Sequence, residues 1–274
     1  MRLVITKNVG CWTAAYVKER LAKHNPAEDN AFVSGNQDFV LGLPTGGTAV
    51  DLYKHLVEFY KKGEMSFKNI TSFNMDEYIG LPKNHPESYW TFMHEHLFNH
   101  VDMNKNNINI PDGNAEDIKK FCLDYEEKIK EVGGVDLFIG GVGENGHIAF
   151  NEPFSSLSSR TRDKELNQNT IKANARFFGG DINLVPKRAI TVGIQTLLDS
   201  KEVLIMMTGE KKALALRHCL EGAITHMWPV SILQMHQKAL IVADEAAASG
   251  LSVDTYKHFK DFEDEYSYIE GLCR

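Results

Sequence analysis

The sequence predicts an α/β protein built as a doubly wound, mainly parallel open sheet with helices on both faces. Three observations carry this expectation. Short β-rich runs recur along the chain, several are apolar at consecutive positions as strands buried on both faces must be, and stretches of helical periodicity separate them.

Strands are expected over residues 38–43, 70–74, 135–139, 189–192, 202–207 and 238–243, each rich in Val, Ile, Leu, Phe or Met and bounded by turn residues. Helices are expected over 12–24, 48–62, 88–100, 115–132, 210–221 and 252–262. The Asn-, Asp- and Gly-rich stretch 25–37 reads as a surface loop. No repeat, low-complexity tract or linker-like shift divides the 274 residues, and 43% hydrophobic with 24% charged composition suits one large, well-cored domain spanning 1–274. A mobile insertion is expected near 160–188.

Thirty basic and 37 acidic residues leave a net charge of −7. That balance disfavours nucleic acid and anionic membranes as partners, because both call for basic patches. Cys11, Cys122, Cys219 and Cys273 are scattered without a CxxC pair, and they read as reduced thiols of a cytosolic protein. No apolar run approaches the roughly 20 residues of a membrane span, so a cytoplasmic location is expected.

In open parallel sheets ligands bind beyond the carboxyl ends of the strands, so the turns after the predicted strands hold the candidate chemistry. Thr45-Gly46-Gly47-Thr48 follows a strand and opens a helix, which suits a monophosphate: glycines admit the ligand and free helix N–H groups face it. The turn lacks the lysine of a Walker A loop and the spacing of a dinucleotide site. Read alone, it is equally an ordinary strand-to-helix turn. Asp76 and Glu77 sit just past a strand, where carboxylates are commonly solvated or, alternatively, aimed into the crevice as a general base. Residues 140–152 place His147 among four glycines with Glu152 five residues on, a candidate acid/base pair. His94, His96 and His100 lack HExxH spacing and read as a solvated helix face.

Taken in order, these turns closely resemble the glucosamine-6-phosphate deaminase family, the aldose-ketose isomerising deaminases of amino-sugar metabolism. The matching segments are Leu41-Gly-Leu-Pro-Thr-Gly-Gly-Thr48, Ser72-Phe-Asn-Met-Asp-Glu-Tyr78, His85-Pro-Glu-Ser-Tyr89, Gly146-His-Ile-Ala-Phe-Asn-Glu-Pro153, Ser158-Ser-Arg-Thr-Arg162, Arg176-Phe-Phe178 and His226-Met-Trp228. The resemblance implies conversion of D-glucosamine 6-phosphate and water to D-fructose 6-phosphate and ammonia, with no cofactor and no metal. It implies His147 as the ring-opening acid/base, Asp76 as the carboxylate moving the C2 proton to C1, and Glu152 as the partner that orients and charges His147. The phosphate would be held by Thr45, Gly46, Gly47 and Thr48 with Arg176 and Lys212, and the resemblance implies that Arg176 lies on a mobile lid near 166–189. A homo-oligomer is implied too, hexameric in the family's allosteric members.

Two departures stand out. The family commonly has Asp two residues before the catalytic His, and here that residue is Asn145, which is neutral; the resemblance then implies that Glu152 alone supplies the negative charge beside a protonated His147. In the allosteric members N-acetylglucosamine 6-phosphate binds between subunits, and the matching positions are Ser155, Ser156, Arg162 and Lys164. The family's next Thr is Glu165 here, and a C-terminal Tyr of that site aligns with His258. Weak or absent activation is therefore expected. The alternatives are another sugar-phosphate enzyme, such as a 6-phosphogluconolactonase or a pentose-phosphate isomerase, and a catalytically weak sugar-phosphate sensor.

Overall fold

The computed structural model describes residues 1–24, 38–261 and 267–273. The loop expected at 25–37 lies outside the described residues. Seven strands form one wholly parallel sheet: β1 (Arg2–Ile5), β2 (Phe39–Leu43), β3 (Ile70–Asn74), β5 (Ile108–Asn109), β6 (Leu137–Gly141), β9 (Glu202–Met207) and β10 (Ala239–Ala243). Their order across the sheet is β1-β10-β9-β6-β2-β3-β5. Strands β2, β3, β9 and β10 are buried along their whole length. That is why they read as continuous apolar runs rather than alternating ones.

Helices α1 (Val9–Ala22), α2 (Gly47–Lys61), α3 (Tyr89–His96) and α4 (Ile118–Glu131) follow the first strands. Apolar residues from helices and sheet form two large clusters. One contains Trp12, Leu52, Leu56, Ile139 and Leu204, and the other Phe73, Tyr125, Phe138, Ile205 and Leu216. Alternate residues of a strand face opposite sides, so β9 supplies Leu204 to one cluster and Ile205 to the other, giving three layers.

One expectation needs correction. The predicted strand at 189–192 does not join the parallel sheet; as β8 (Arg188–Thr191) it is the centre of a three-stranded antiparallel sheet with β4 (Asp76–Tyr78) and β7 (Arg162–Glu165). Between β7 and β8 run α5 (Gln168–Asn174) and a 3-10 turn, Ala175–Phe177. This segment rests on a small separate cluster formed by Tyr78, Leu81, Phe150, Leu166, Ile171, Phe178 and Val185. The remaining helices are α6 (Ile194–Leu198), α7 (Ala213–Leu220), α8 (Glu245–Ala248), α9 (Val253–Lys260) and α10 (Ser267–Gly271).

The expectation of four reduced thiols is also corrected. Cys11 on α1 and Cys273 beyond α10 are disulfide-bonded with Cα atoms 5.9 Å apart, while Cys122 and Cys219 are free and buried. The bond spans 262 residues, so sequence spacing gives no hint of it. Among the described residues no helix is long and apolar enough to cross a membrane.

Candidate active site

Chain order along the sheet reverses between β2 and β6: β3 and β5 extend one way from β2, and β6, β9, β10 and β1 the other. Such a reversal splays the connections apart at the strands' carboxyl ends and opens a crevice there. The turns after β2, β3, β6 and β9 all emerge at that edge.

After β2, Gly46 caps α2 with φ 99° and ψ 173°, a conformation in which a side chain is strained, although space for a Cβ is open. Gly46 and Gly47 are exposed and Thr45 and Thr48 half-buried. The first N–H groups of a helix have no partner within it, so this turn presents donors and the positive end of a 15-residue helix. Thr48 Oγ1 lies 3.4 Å from Thr208 Oγ1 in the turn after β9. In that turn Asp244 accepts from the Gly209 N–H at 2.9 Å, fixing the entry to the 3-10 segment that carries Lys212. Burial pushes the Lys212 ammonium down; Glu144 opposes this, and the nearby Arg176 charge adds to it. Arg176 itself is exposed, its guanidinium 4.6 Å from the Phe177 ring centre. Two cations held together at one edge are a receptive place for a dianion.

After β3, the Met75 N–H donates to Leu43 O and the Met75 carbonyl accepts from Val192, turning the chain from one sheet into the other. Asp76 is thereby 6% exposed. Burial, then the neighbouring charge of Glu77, raises its carboxyl from 3.8 to about 8. Tyr53, Tyr78, Tyr89 and Tyr125 surround this region; burial first, and also the Asp76 anion, pushes each of their hydroxyls up. Glu77 has different work. Its carboxylate accepts from the Tyr78, Tyr89 and Trp90 N–H groups at 2.8, 3.1 and 2.9 Å, so it caps the start of α3 beside the N-cap Ser88.

After β6 the chain folds back so tightly that a Cβ on Gly143 would lie 2.1 Å from the His147 ring; only glycine lets the imidazole sit there. Ala149, at φ 52°, completes the reversal that returns Glu152 toward His147. Asn145 joins the two. Its Nδ2 donates to Glu152 Oε2 at 2.8 Å and its Oδ1 lies 2.7 Å from His147 Nδ1. An ionised carboxylate only accepts, so the amide must face it with its nitrogen. The amide oxygen therefore faces the ring, Nδ1 carries the proton, and Nε2 keeps its lone pair. Glu152 also accepts from the Thr170 hydroxyl of α5 and lies 3.6 Å from His147 Nδ1. Burial works to raise this carboxyl, but the His147, Thr170 and Asn145 contacts outweigh it and hold it at about 2.

A family model described as glucosamine-6-phosphate isomerases/6-phosphogluconolactonase matches residues 13–242. The chain belongs to that family. It is 56% identical over 268 residues to a glucosamine-6-phosphate deaminase of Yersinia enterocolitica, covering 97% of this chain and 98% of that one. It is 52% identical to the glucosamine-6-phosphate deaminase of Fusobacterium nucleatum, covering 99% and 97%. A solved monomeric glucosamine-6-phosphate deaminase superposes with a TM-score of 0.83 at 39% identity over 92% of this chain and all of that one. A 6-phosphogluconolactonase from Thermotoga maritima, at 19% identity and a TM-score of 0.63 over 89% of this chain and 98% of that one, shares the fold alone.

The structure thus gathers Thr45–Thr48, Asp76, Asn145, His147, Glu152 and Lys212 at one edge, with Arg176 on the segment beside them. It treats the four second-site positions differently. Ser155 is buried with its hydroxyl unpartnered, Ser156 bonds to Ser158, and Arg162 donates to the Arg160 carbonyl at 3.2 Å. Alternation along β7 puts Arg162 and Lys164 on one face and Glu165 on the other. Sequence reading missed Thr170, Thr208 and Asp244, polar residues in segments carrying no motif. It also left open the role of Glu77, for which Ser88 at the start of α3 was an available signal. Among the described residues no group of His, Cys, Asp and Glu is placed to hold a metal. His94 and His100 instead bond to the carbonyls of Trp90 and Glu95.

Proposed function

We propose that this chain is an aldose-ketose isomerising deaminase that converts D-glucosamine 6-phosphate and water to D-fructose 6-phosphate and ammonia. The observation that carries this reading is the buried Asp76 carboxyl, raised to about 8, at the carboxyl edge of the sheet that also bears His147, whose Nδ1 is held by Asn145 and whose Nε2 has no partner among the described residues. Among the described residues no cation is paired with Asp76. The C2 ammonium of an amino sugar supplies one, and its charge favours the ionised carboxylate needed to take a proton.

In this mechanism His147 Nε2 accepts the proton of the C1 hydroxyl and returns it to the ring oxygen, opening the sugar. The Asn145–Glu152 relay holds the ring and stabilises the imidazolium formed in between. Asp76 then removes the C2 proton to give the enolamine and delivers it to C1. The resulting C2 imine adds water and expels ammonia. A carboxyl near 8 can both accept and return a proton around neutrality. The 6-phosphate is held by Thr45, Gly46, Gly47 and Thr48, with Lys212 and with Arg176 from a lid at 166–189, all within one domain. The more than 50% identity to deaminases over nearly the whole chain supports this reading.

Homo-oligomeric assembly is part of the proposal. Exposed Leu214, Ile224, Met227 and Met235 give α7 and the following segment an apolar surface, and light scattering of the purified protein tests it. Weak or absent activation by N-acetylglucosamine 6-phosphate is kept as well. It now rests on His258, because Glu165 faces away from Lys164. The activity is tested by ammonia release from glucosamine 6-phosphate.

A further inference from the structure

Helix α5 bears on both halves of the acid/base machinery. Thr170 and Asn174 are four residues apart and so share a helix face. The Thr170 hydroxyl donates to Glu152 Oε1, while Asn174 Nδ2 donates to the Tyr78 hydroxyl at 2.8 Å, two residues along β4 from Asp76. The helix is seated by Ile171 and, just past its end, Ala175, both buried in the cluster with Tyr78 and Phe150. Arg176 comes immediately after. The helix and the turn that follows it therefore carry a hydroxyl on the His147 relay, an amide on the Asp76 strand and a phosphate-directed cation.

From this connectivity we infer that Thr170 is a positioning residue that couples seating of the 166–189 segment to the acid/base relay. The inference rests on the deaminase reading. Glu152 Oε2 is engaged by Asn145, and Oε1 takes the Thr170 hydroxyl, so this hydroxyl sets the second oxygen and with it the rotation of the carboxylate plane. Rotation of that plane moves Asn145, and Asn145 holds His147 Nδ1. Among the described residues the titratable group in contact with Glu152 is His147 on the β6 turn, and α5 contributes the Thr170 hydroxyl. A seated α5 completes the relay, and the turn bearing Arg176 continues directly from it.

The test is steady-state ammonia release by wild type, T170V, T170S, E152Q and T170V/E152Q. Thr170 is only half-buried and valine keeps its shape, so the fold is retained. A hydrogen bond to a charged acceptor is at stake, and kcat is expected to fall about tenfold or more in T170V with KM little changed, T170S restoring most of it. In the E152Q background T170V should add little, since both act through one carboxylate. A rise in KM at constant kcat, T170S as impaired as T170V, or fully additive losses would each overturn the coupling. Absence of ammonia from the wild type would overturn the deaminase reading and the coupling with it, and that failure is distinct from an active wild type matched by T170V.

Discussion

Replacing Asp76 by Asn is expected to make the protein nearly inactive and more stable. A carboxyl whose folded value is raised from 3.8 to about 8 favours the folded state fully only when protonated. Its stabilising effect is present below the unfolded value and is lost as pH rises through the folded one. At pH 7 the unfolded chain gains from ionising Asp76 across about 3 pH units, at about 1.4 kcal/mol per unit, which costs the native state on the order of 4 kcal/mol. Asn resembles the protonated acid and escapes that cost. At roughly 2 °C per kcal/mol for a chain of this length, Tm should rise by about 5–8 °C at pH 7. The gain should shrink toward zero near pH 4. Turnover should fall by about 10²–10⁴-fold. Calorimetry of both proteins between pH 4 and 8, with ammonia release alongside, measures each quantity. An unchanged or lower Tm at pH 7, or a gain that does not fade toward pH 4, would refute the reasoning that burial strains this carboxylate for function.

Asn145→Asp replaces the amide that donates to Glu152 with a second carboxylate beside His147, so kcat/KM should fall and its pH profile change; a profile identical to wild type would remove Asn145 from the relay. Gly46→Ala meets no atom within 4 Å but forces φ 99° on an L-residue, so it should destabilise the chain by about 1–3 kcal/mol in urea titration and raise KM. Denatured without reductant, the chain should give two titratable thiols, Cys122 and Cys219, and four after reduction. Four in both conditions would remove the Cys11–Cys273 bond.

The central strands and the glycine-rich turns of the candidate site were legible in the sequence because each is governed by local chemistry. A run such as Glu202–Met207, apolar after its first residue, can only be a strand buried on both sides, and glycines before His147 announce a backbone folded close to a side chain. The strand at Arg188–Thr191 was visible as a strand, but its sheet was not. Its partners, Asp76–Tyr78 and Arg162–Glu165, are three and four residues long and mostly charged, with no apolar period to betray them. Strand β1 was passed over for a similar reason, being only four residues at the end of the chain. Glu77 looked like the twin of Asp76, and the three N–H groups of Tyr78, Tyr89 and Trp90 converging on it mark it as a helix cap and leave Asp76 as the proposed base. Thr170 carries no motif at all. Its meaning comes from a contact with Glu152 across 18 residues that the small antiparallel sheet creates.

The most direct measurement is steady-state conversion of glucosamine 6-phosphate by the purified wild-type chain, following ammonia and fructose 6-phosphate together. The account predicts that the two products appear in equal amounts, and that Asp76→Asn and His147→Gln each reduce both by at least about a hundredfold. No ammonia from the wild type, or product formation untouched by loss of Asp76, would contradict it.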